Sequence, residues 1–193
     1  MIYFTSDLHY GHRNICSAIT TWDSGYRQFE SLEVMNQTIV DNINAHVGPE
    51  DTLYCLGDWA MGGLNNIPIL REQLNVKTLH LILGNHDNHI RNQKRGFQKL
   101  FTSVNESLEI RIGKQHIVMH HFPMYVWNKH HKGAWMLHGH CHGSLHYPQE
   151  ISGRKIMDVG IDAHPDFGVW NIDQIAQLMD TRQIIYVDHH LYR

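Results

Sequence analysis

The stretch from residue 78 to residue 87 reads TLHLILGNHD, and it is the clearest indication of the fold. Its first part is an apolar run typical of a buried β-strand, and it turns abruptly into the polar letters GNHD. Two earlier stretches have the same form: the run IYFTS at 2–6 is followed by DLH, and the run TLYCL at 52–56 is followed by GD. Because ligand sites in α/β sheets form at the carboxyl ends of strands, this pattern predicts an α/β fold with a functional crevice there.

The segments between and after these runs extend the α/β pattern. Apolar residues at helical spacing predict helices at 31–46 and 64–74, and Asn171 is expected to cap a later helix. A hairpin is predicted within 108–120, and Gln183–Val187 is expected to form a last strand. Strand–helix alternation favours parallel pairing, and the hairpin favours antiparallel pairing. We therefore predict an α/β fold of two stacked mixed β-sheets flanked by helices, in a single domain of all 193 residues.

Composition narrows the class of function. The net charge is −3, so no basic field draws the chain to nucleic acid, and we expect no dedicated nucleic-acid-binding surface. No run approaches the roughly 20 apolar residues of a membrane helix, and the first residues, MIYFTSD, lack the features of a signal peptide. The three cysteines have no framework spacing. We expect no membrane association and a location in the reducing cytoplasm, while nothing in the sequence specifies an oligomeric state.

Histidine is the unusual residue of this chain, with 18 copies. Many of them follow predicted strands, together with two carboxylates and one carboxamide. Such a mixed set of nitrogen and oxygen donors suits Mn, Fe, Zn, Ni or Co rather than calcium. Asp7 and His9 stand two residues apart in an extended segment and therefore project to the same side, where they are able to chelate one ion. Asp58 is placed to bridge two ions about 3.5–4 Å apart, the separation typical of two-metal hydrolases.

Five motifs, taken in chain order, resemble those of the calcineurin-like metallophosphoesterases. They are DLH at 7–9, GD at 57–58, GNHD at 84–87, a histidine before FP at 120–123, and GHCH at 139–142. The flanking text FTSDLHYGHRNI and the later DVGID are similar to a small group of compact bacterial and phage phosphoesterases that lack a cap domain. The resemblance implies a four-layer α-β-β-α sandwich that holds two divalent metal ions.

The resemblance also implies which side chains bind the two ions. The first ion takes Asp7, His9, Asp58 and His142, and the second takes Asp58, Asn85, His121 and His140. His121 is preferred to His120 because the family's ligand commonly stands just before an aromatic-Pro pair, here Phe122-Pro123. Strand alternation points these two histidines in opposite directions. Cys141, between two of the ligands, is expected to point away from the metals.

The family also implies the chemistry. His86 stands over the phosphate and protonates the leaving oxygen, and a water held between the two cations attacks in line. Asp87 is a candidate to orient His86, but the family's own partner for this histidine is not identified in this sequence. The residues that follow Gly57-Asp58 are Trp59-Ala60 rather than the Asp and Arg of the Ser/Thr phosphatases, so protein phosphatase activity is not expected. Three polar residues next to the first motif are candidates for contact with the substrate: His12, Arg13 and Asn14.

We therefore expect a two-metal hydrolase whose partner is a small phosphoester. A phosphodiester or nucleotide-like substrate is favoured, because a chain without a cap leaves its cleft open. Two alternatives remain, a non-catalytic scaffold on the same fold and a His-rich metal-binding protein. A scaffold usually lacks some ligand histidines, and a storage protein has no use for His86. Trp59, Trp127 and Tyr125 either pack in the interior or stack on a base or sugar ring.

Overall fold

The computed structural model describes residues 1–18, 26–149 and 153–188. The apolar runs that precede the polar motifs form strands, as the sequence predicts. The strands are β1 (Ile2–Thr5), β2 (Thr52–Cys55), β3 (Thr78–Ile82), β4 (Ser103–Asn105), β5 (Ser107–Ile112), β6 (Gln115–His120), β7 (Trp135–His138), β8 (Ile156–Asp158) and β9 (Trp170–Asn171). The α-helices are α1 (Leu32–His46), α2 (Asn66–Gln73), α3 (Asn88–Arg91) and α4 (Ile172–Asp180).

The strands form two mixed sheets. The first has the order β4-β3-β2-β1-β9, in which β1 to β4 are parallel and β9 runs antiparallel to β1. The second has the order β5-β6-β7-β8, in which β5 and β6 form the antiparallel hairpin and β6 to β8 are parallel. The carboxyl ends of neighbouring parallel strands lie at one edge of a sheet, so the polar motifs after β1, β2 and β3 are neighbours in space.

Successive side chains of a strand point to opposite faces of the sheet and pack into different layers of the hydrophobic core. In β2, Leu53 and Cys55 pack with buried residues of α1 and α2, whereas Leu56, just past its end, packs with Ile117 and Leu137 of the second sheet. The layer that joins the two sheets also receives α4. A third, smaller cluster packs the segment that contains Trp127 against the second sheet. The prediction of two stacked mixed sheets flanked by helices is therefore confirmed.

Local sequence signals fix the starts of two helices. The Ser31 hydroxyl accepts a hydrogen bond from the backbone N–H of Val34 at the start of α1. At the start of α4, Asn171 and Gln174 form a capping box, in which each side chain accepts from the other residue's backbone N–H. Both devices satisfy amides that have no partner within the helix.

The predicted strand Gln183–Val187 is wrong. Only Gln183 makes a β-bridge, to Arg154, and 184–187 have no regular structure. The side chains of Ile184 and Tyr186 are more than 40% exposed, so the alternation that suggested a strand does not face a buried layer. The short strands β4 and β9 were not predicted. No helix among the described residues is long and apolar enough to cross a membrane.

Candidate metal centre

Backbone hydrogen bonds hold the loops after β1 and β2 side by side. The Asp7 N–H donates to the Gly57 carbonyl, and the His9 N–H donates to the Asp58 carbonyl, both at 2.9 Å. The Ile161 N–H donates to the Ser6 carbonyl at 3.0 Å, and this bond joins the segment that follows β8 to the loop after β1. Backbone hydrogen bonds alone thus join three loops that are distant in sequence.

Asp87 ties the loop after β3 to the loop after β2. Its carboxylate accepts from the backbone N–H groups of Asp58 and Gly84 at 2.8 Å and from that of Trp59 at 3.0 Å. The side chain is buried. These partners differ from the His86 imidazole, which was the partner expected from the sequence. The contacts make Asp87 a positioning residue for Asp58 rather than a partner of His86.

Two glycines allow the loops to approach this closely. A Cβ atom at Gly84 would lie 2.2 Å from the Asp58 Oδ1 atom, and one at Gly139 would lie 1.9 Å from the Ser6 hydroxyl oxygen. Any larger residue would push the loops apart. The glycines of the GNHD and GHCH motifs therefore have a steric role, since they make room for the side chains beside them.

Left-handed backbone is concentrated at the polar motifs. Among the described residues, nine that are not glycine have positive φ, and five of these are predicted ligands: Asp7, His9, Asp58, His140 and His142. This conformation is unfavourable for a residue with a Cβ atom. It persists where the surrounding structure determines it, and such residues cluster at functional sites.

The side chains of the predicted ligands converge in two groups. The first half-site is Asp7, His9 and His142, which offer donor atoms that all lie within 4.8 Å of one another. The second half-site is Asn85, His121 and His140. Asp58 lies between the two groups, and its Oδ2 atom is 3.5 Å from the Nε2 atoms of both His9 and His121. The structure thus brings together all seven side chains that the resemblance implied.

The second half-site is organised around one oxygen atom. The His121 Nδ1–H group donates to the Leu56 carbonyl at 2.8 Å, so the Nε2 atom carries a lone pair. That Nε2 atom lies 2.9 Å from the Asn85 Oδ1 atom, and the His140 Nδ1 atom lies 3.0 Å from the same oxygen. Burial lowers the pKa of His121 to about 4, so no proton stands between its Nε2 atom and this oxygen at neutral pH. Two acceptors at this separation are placed to share one cation as neighbouring ligands.

The choice between the two neighbouring histidines follows from strand β6. His121 is fully buried and faces Asn85. His120 is partly exposed, and its ring contacts the backbone of Phe122 instead. The alternation of β6 thus directs His121 toward the candidate centre. The Phe122 ring lies 4.4 Å from the His140 ring and packs against the second half-site.

A buried arginine braces the first half-site, and no motif in the sequence points to it. Arg27 is buried and donates two hydrogen bonds to the Asp162 carboxylate, at 2.9 and 2.6 Å. The Arg27 guanidinium also donates to the Asp7 and Leu8 carbonyls. Asp162 in turn accepts from the His142 Nδ1–H at 2.6 Å. This carboxylate–histidine contact leaves the His142 Nε2 lone pair directed at the centre, 3.9 Å from Asp7 Oδ1.

The electrostatics of the first half-site favour a cation. Burial raises the pKa of Asp7 to about 7 and also raises the pKa of Asp58, because two carboxylates lie together away from water. Burial lowers the pKa of His9 well below its usual value. A divalent cation would compensate the negative charge of the carboxylates and would accept the lone pair of the neutral imidazole. The donor set therefore fits the implied metals.

Two of the remaining predicted residues, His86 and His12, lie beside the first half-site, with ring centroids 5.4 and 5.1 Å from that of His9. The His86 side chain is 42% exposed, and its Nε2 atom is 4.0 Å from Asp58 Oδ2. The centroid of the His12 ring is 6.3 Å from that of the His86 ring. Burial lowers the pKa of His12 to about 4, so this imidazole is neutral at neutral pH. Arg13 and Asn14 are exposed in the 3-10 turn that follows.

Comparisons with known proteins support the fold. No family model matches the chain. The Gene 66 protein of Mycobacterium phage L5 is 28% identical over 189 residues, which cover 83% of this chain and 86% of that protein. The solved structure of AQ665, a protein of unknown function from Aquifex aeolicus, is similar with a TM-score of 0.68 and 20% identity, over 92% of this chain and 98% of its own. A novel archaeal phosphodiesterase is similar more loosely, with a TM-score of 0.46 and 18% identity over 82% of each chain.

Proposed function

We propose that this protein is a metal-dependent phosphoesterase of the calcineurin-like type, with two cations and a small phosphodiester or nucleotide-like substrate. One observation carries the proposal: two groups of donor side chains face each other across the shared carboxylate of Asp58. When bound, the cations supply positive charge for the phosphate and an activated water for attack on phosphorus. Manganese is the first metal to test, and a cytoplasmic location is part of the proposal.

The chain's own residues have separable roles in this reaction. Asp58 and Asp7 carry the negative charge that holds the cations, and His121 and His142 direct lone pairs at them from fixed orientations. His86 stands at the open side of the centre, where its imidazole can reach the leaving oxygen. Water adds its oxygen to phosphorus and loses one proton to solvent, the bond from phosphorus to the leaving oxygen breaks, and this oxygen takes up a proton from His86.

The position of His86 also favours an enzyme over the two alternatives. A storage protein or a non-catalytic scaffold would not need an exposed imidazole 4.0 Å from the shared carboxylate. The proposed reaction uses no cysteine nucleophile, since burial raises the pKa of the Cys141 thiol to about 11 and keeps it protonated. A covalent intermediate is therefore not part of the proposal.

The test is the variant His86→Ala, assayed on bis(4-nitrophenyl) phosphate with Mn, Ni and Zn. We expect turnover to fall by about 100-fold or more, as is typical for loss of a general acid, while metal content stays unchanged. His89→Ala is the matched control, because His89 is an exposed histidine of α3 outside the two half-sites. Equal turnover of both variants would remove His86 from the reaction, and no turnover by the wild type with any metal would refute the proposed function.

A further inference from the structure

A cleft of about 620 Å³ opens beside the two histidines of the last motif. Its lining includes Tyr26, His140, Cys141, His142 and Leu145. Its volume is within the range of about 300–1,000 Å³ that is usual for small-molecule sites. His140 and His142 belong to different half-sites, so the cleft begins at the candidate centre. A group attached to a phosphate bound there would have to enter this space or solvent.

The walls of the cleft include large apolar and aromatic side chains. Tyr26 and Leu145 are 43% and 39% exposed, although both stand next to a charged centre. The cleft adjoins a smaller cavity of about 180 Å³, which shares Leu145 with it and is also lined by Met124 and Tyr125. Together they form an apolar strip that leads away from the candidate centre. Apolar surface beside a few polar groups is the lining that small-molecule sites commonly have.

Tyr26 is held in place against a predicted ligand. Its hydroxyl oxygen lies 2.8 Å from the His142 Nδ1 atom, and the two rings meet edge to face with centroids 5.4 Å apart. The same Nδ1 atom contacts Asp162, so the phenol is fixed at the contact that orients His142. The aromatic wall of the cleft is therefore placed at a defined position relative to the centre.

The aromatic residues that the sequence suggested as stacking partners are largely unavailable. Trp59 and Trp127 are both buried and pack in the interior. Tyr125 is exposed but lines only the smaller cavity. Among residues 1–18, 26–149 and 153–188, Tyr26 is the one phenylalanine, tyrosine or tryptophan that lines the cleft.

We propose that this cleft binds the organic part of the phosphoester, and that this part carries an aromatic ring such as a nucleobase or an aryl group. The proposal rests on the proposed function and names its substrate class. An aromatic ring gains contacts with the Tyr26 ring and the two imidazoles beyond the burial of its surface, which an aliphatic chain does not. Leu145 adds apolar surface to the same lining.

Two phosphonates test the proposal without turnover, because their carbon–phosphorus bonds resist hydrolysis. Phenylphosphonate and methylphosphonate share the head group that the cations would bind and differ by the ring. Calorimetric titration of the manganese-loaded protein should show about tenfold tighter binding of phenylphosphonate, as a stacked ring typically provides. Equal affinities in the wild type would overturn the proposal.

Variants test whether the preference for phenylphosphonate over methylphosphonate arises in the cleft. Tyr26→Ala and Leu145→Ala should each reduce the preference to about threefold or less, because each removes one wall of the ring's site. The preference is a ratio of two affinities within one variant, so a change at the metal centre on loss of the Tyr26 hydroxyl affects both ligands alike. Ile69→Ala is the matched control, since Ile69 is a similarly exposed apolar residue of α2 outside the cleft. Tyr26→Phe keeps the ring and should keep most of the preference.

Two outcomes of these titrations have different meanings. A preference for phenylphosphonate that survives both alanine variants contradicts the assignment to the cleft, even when the proposed function holds. Failure of both phosphonates to bind, together with no hydrolysis of bis(4-nitrophenyl) phosphate, would instead refute the proposed function on which the assignment rests.

Discussion

The first half-site is buried and anionic, whereas the second is partly open and built from uncharged donors. Asp7 and His9 are 0% and 3% exposed. In the second half-site His140 is exposed, and Asn85 supplies an uncharged oxygen. Negative charge and burial both strengthen the attraction for a cation. On the proposed function, we therefore expect the first half-site to bind its cation more tightly and the second to exchange its cation more readily.

Asp58 is common to both half-sites, so its loss should have the largest effect. We expect Asp58→Asn to lower turnover by about a thousandfold, the upper end of what removal of one electrostatic stabiliser costs. The Asn side chain preserves shape but removes the shared charge. Turnover with saturating manganese measures the effect, and metal content by mass spectrometry shows whether the second ion is lost first. Loss of the first ion before the second would reverse the order of affinities.

Loss of the Asp162 carboxylate, which orients His142, should weaken metal binding at the first half-site selectively. We expect Asp162→Asn to weaken the tighter manganese affinity by about 10–100-fold, as loss of a carboxylate behind a histidine ligand typically does. The weaker affinity should change little. Asp166→Asn is the control, because Asp166 is exposed and its backbone atoms make the hydrogen bonds seen for it. Calorimetric titration of metal-free protein measures both affinities. A change in only the weaker affinity would contradict the role of Asp162 in orienting His142.

The first half-site should also respond to pH more strongly than the second. The pKa of Asp7 is raised to about 7 by burial. Burial lowers the pKa of His142, but the hydrogen bond with Asp162 and the negative charges of Asp7 and Asp162 together outweigh this, so the net shift is upward. Both groups must lose a proton to bind a cation, whereas His121, with a pKa of about 4, is already neutral. Affinity at the first half-site should therefore rise with pH, by about tenfold per pH unit for each proton that binding of the cation releases, and level off once both groups are deprotonated. Titrations at pH 6, 7 and 8 test this, and a flat profile would contradict it.

The smallest effect is expected from the aromatic neighbour of the second half-site. The Phe122 ring lies 4.4 Å from the His140 ring and restricts its orientation. We expect Phe122→Ala to weaken the lower of the two manganese affinities by about threefold, in line with the contribution of one aromatic contact. The tighter affinity should be unaffected. A larger change at the first half-site would show that the two half-sites are not separable as described.

Most of the fold and the meeting of the polar motifs could be predicted from the sequence, because these motifs directly follow apolar strands, whereas the set of seven candidate ligands came from the family resemblance. The choice of His121 over His120 came from the aromatic-Pro pair of the family, since strand alternation implied only that the two histidines point in opposite directions. Arg27 and Tyr26 could not be identified, because they lie in a segment with no motif. Arg27 reaches Asp162 across 135 positions of the chain, and no periodicity encodes such a contact.

Two further predictions failed because they depended on tertiary structure. Asp87 was assigned the wrong partner, since its backbone partners become apparent only once two loops meet. The alternation in Gln183–Val187 is typical of a strand, but no second strand beyond one bridge is available to pair with it in the described structure. Local pattern therefore identified the candidate ligands better than the residues that support them.

The left-handed backbone of the candidate ligands lowers the stability of the metal-free protein. A residue with a Cβ atom in this conformation costs on the order of 1 kcal/mol, and glycine avoids the cost. His140 is exposed, so glycine in its place would sacrifice little packing and would relieve the backbone of the metal-free protein. Selection for thermal stability alone would therefore favour glycine at such positions and remove the ligand side chains. A cation that bound only the native fold would oppose this tendency, because its binding would stabilise the folded protein.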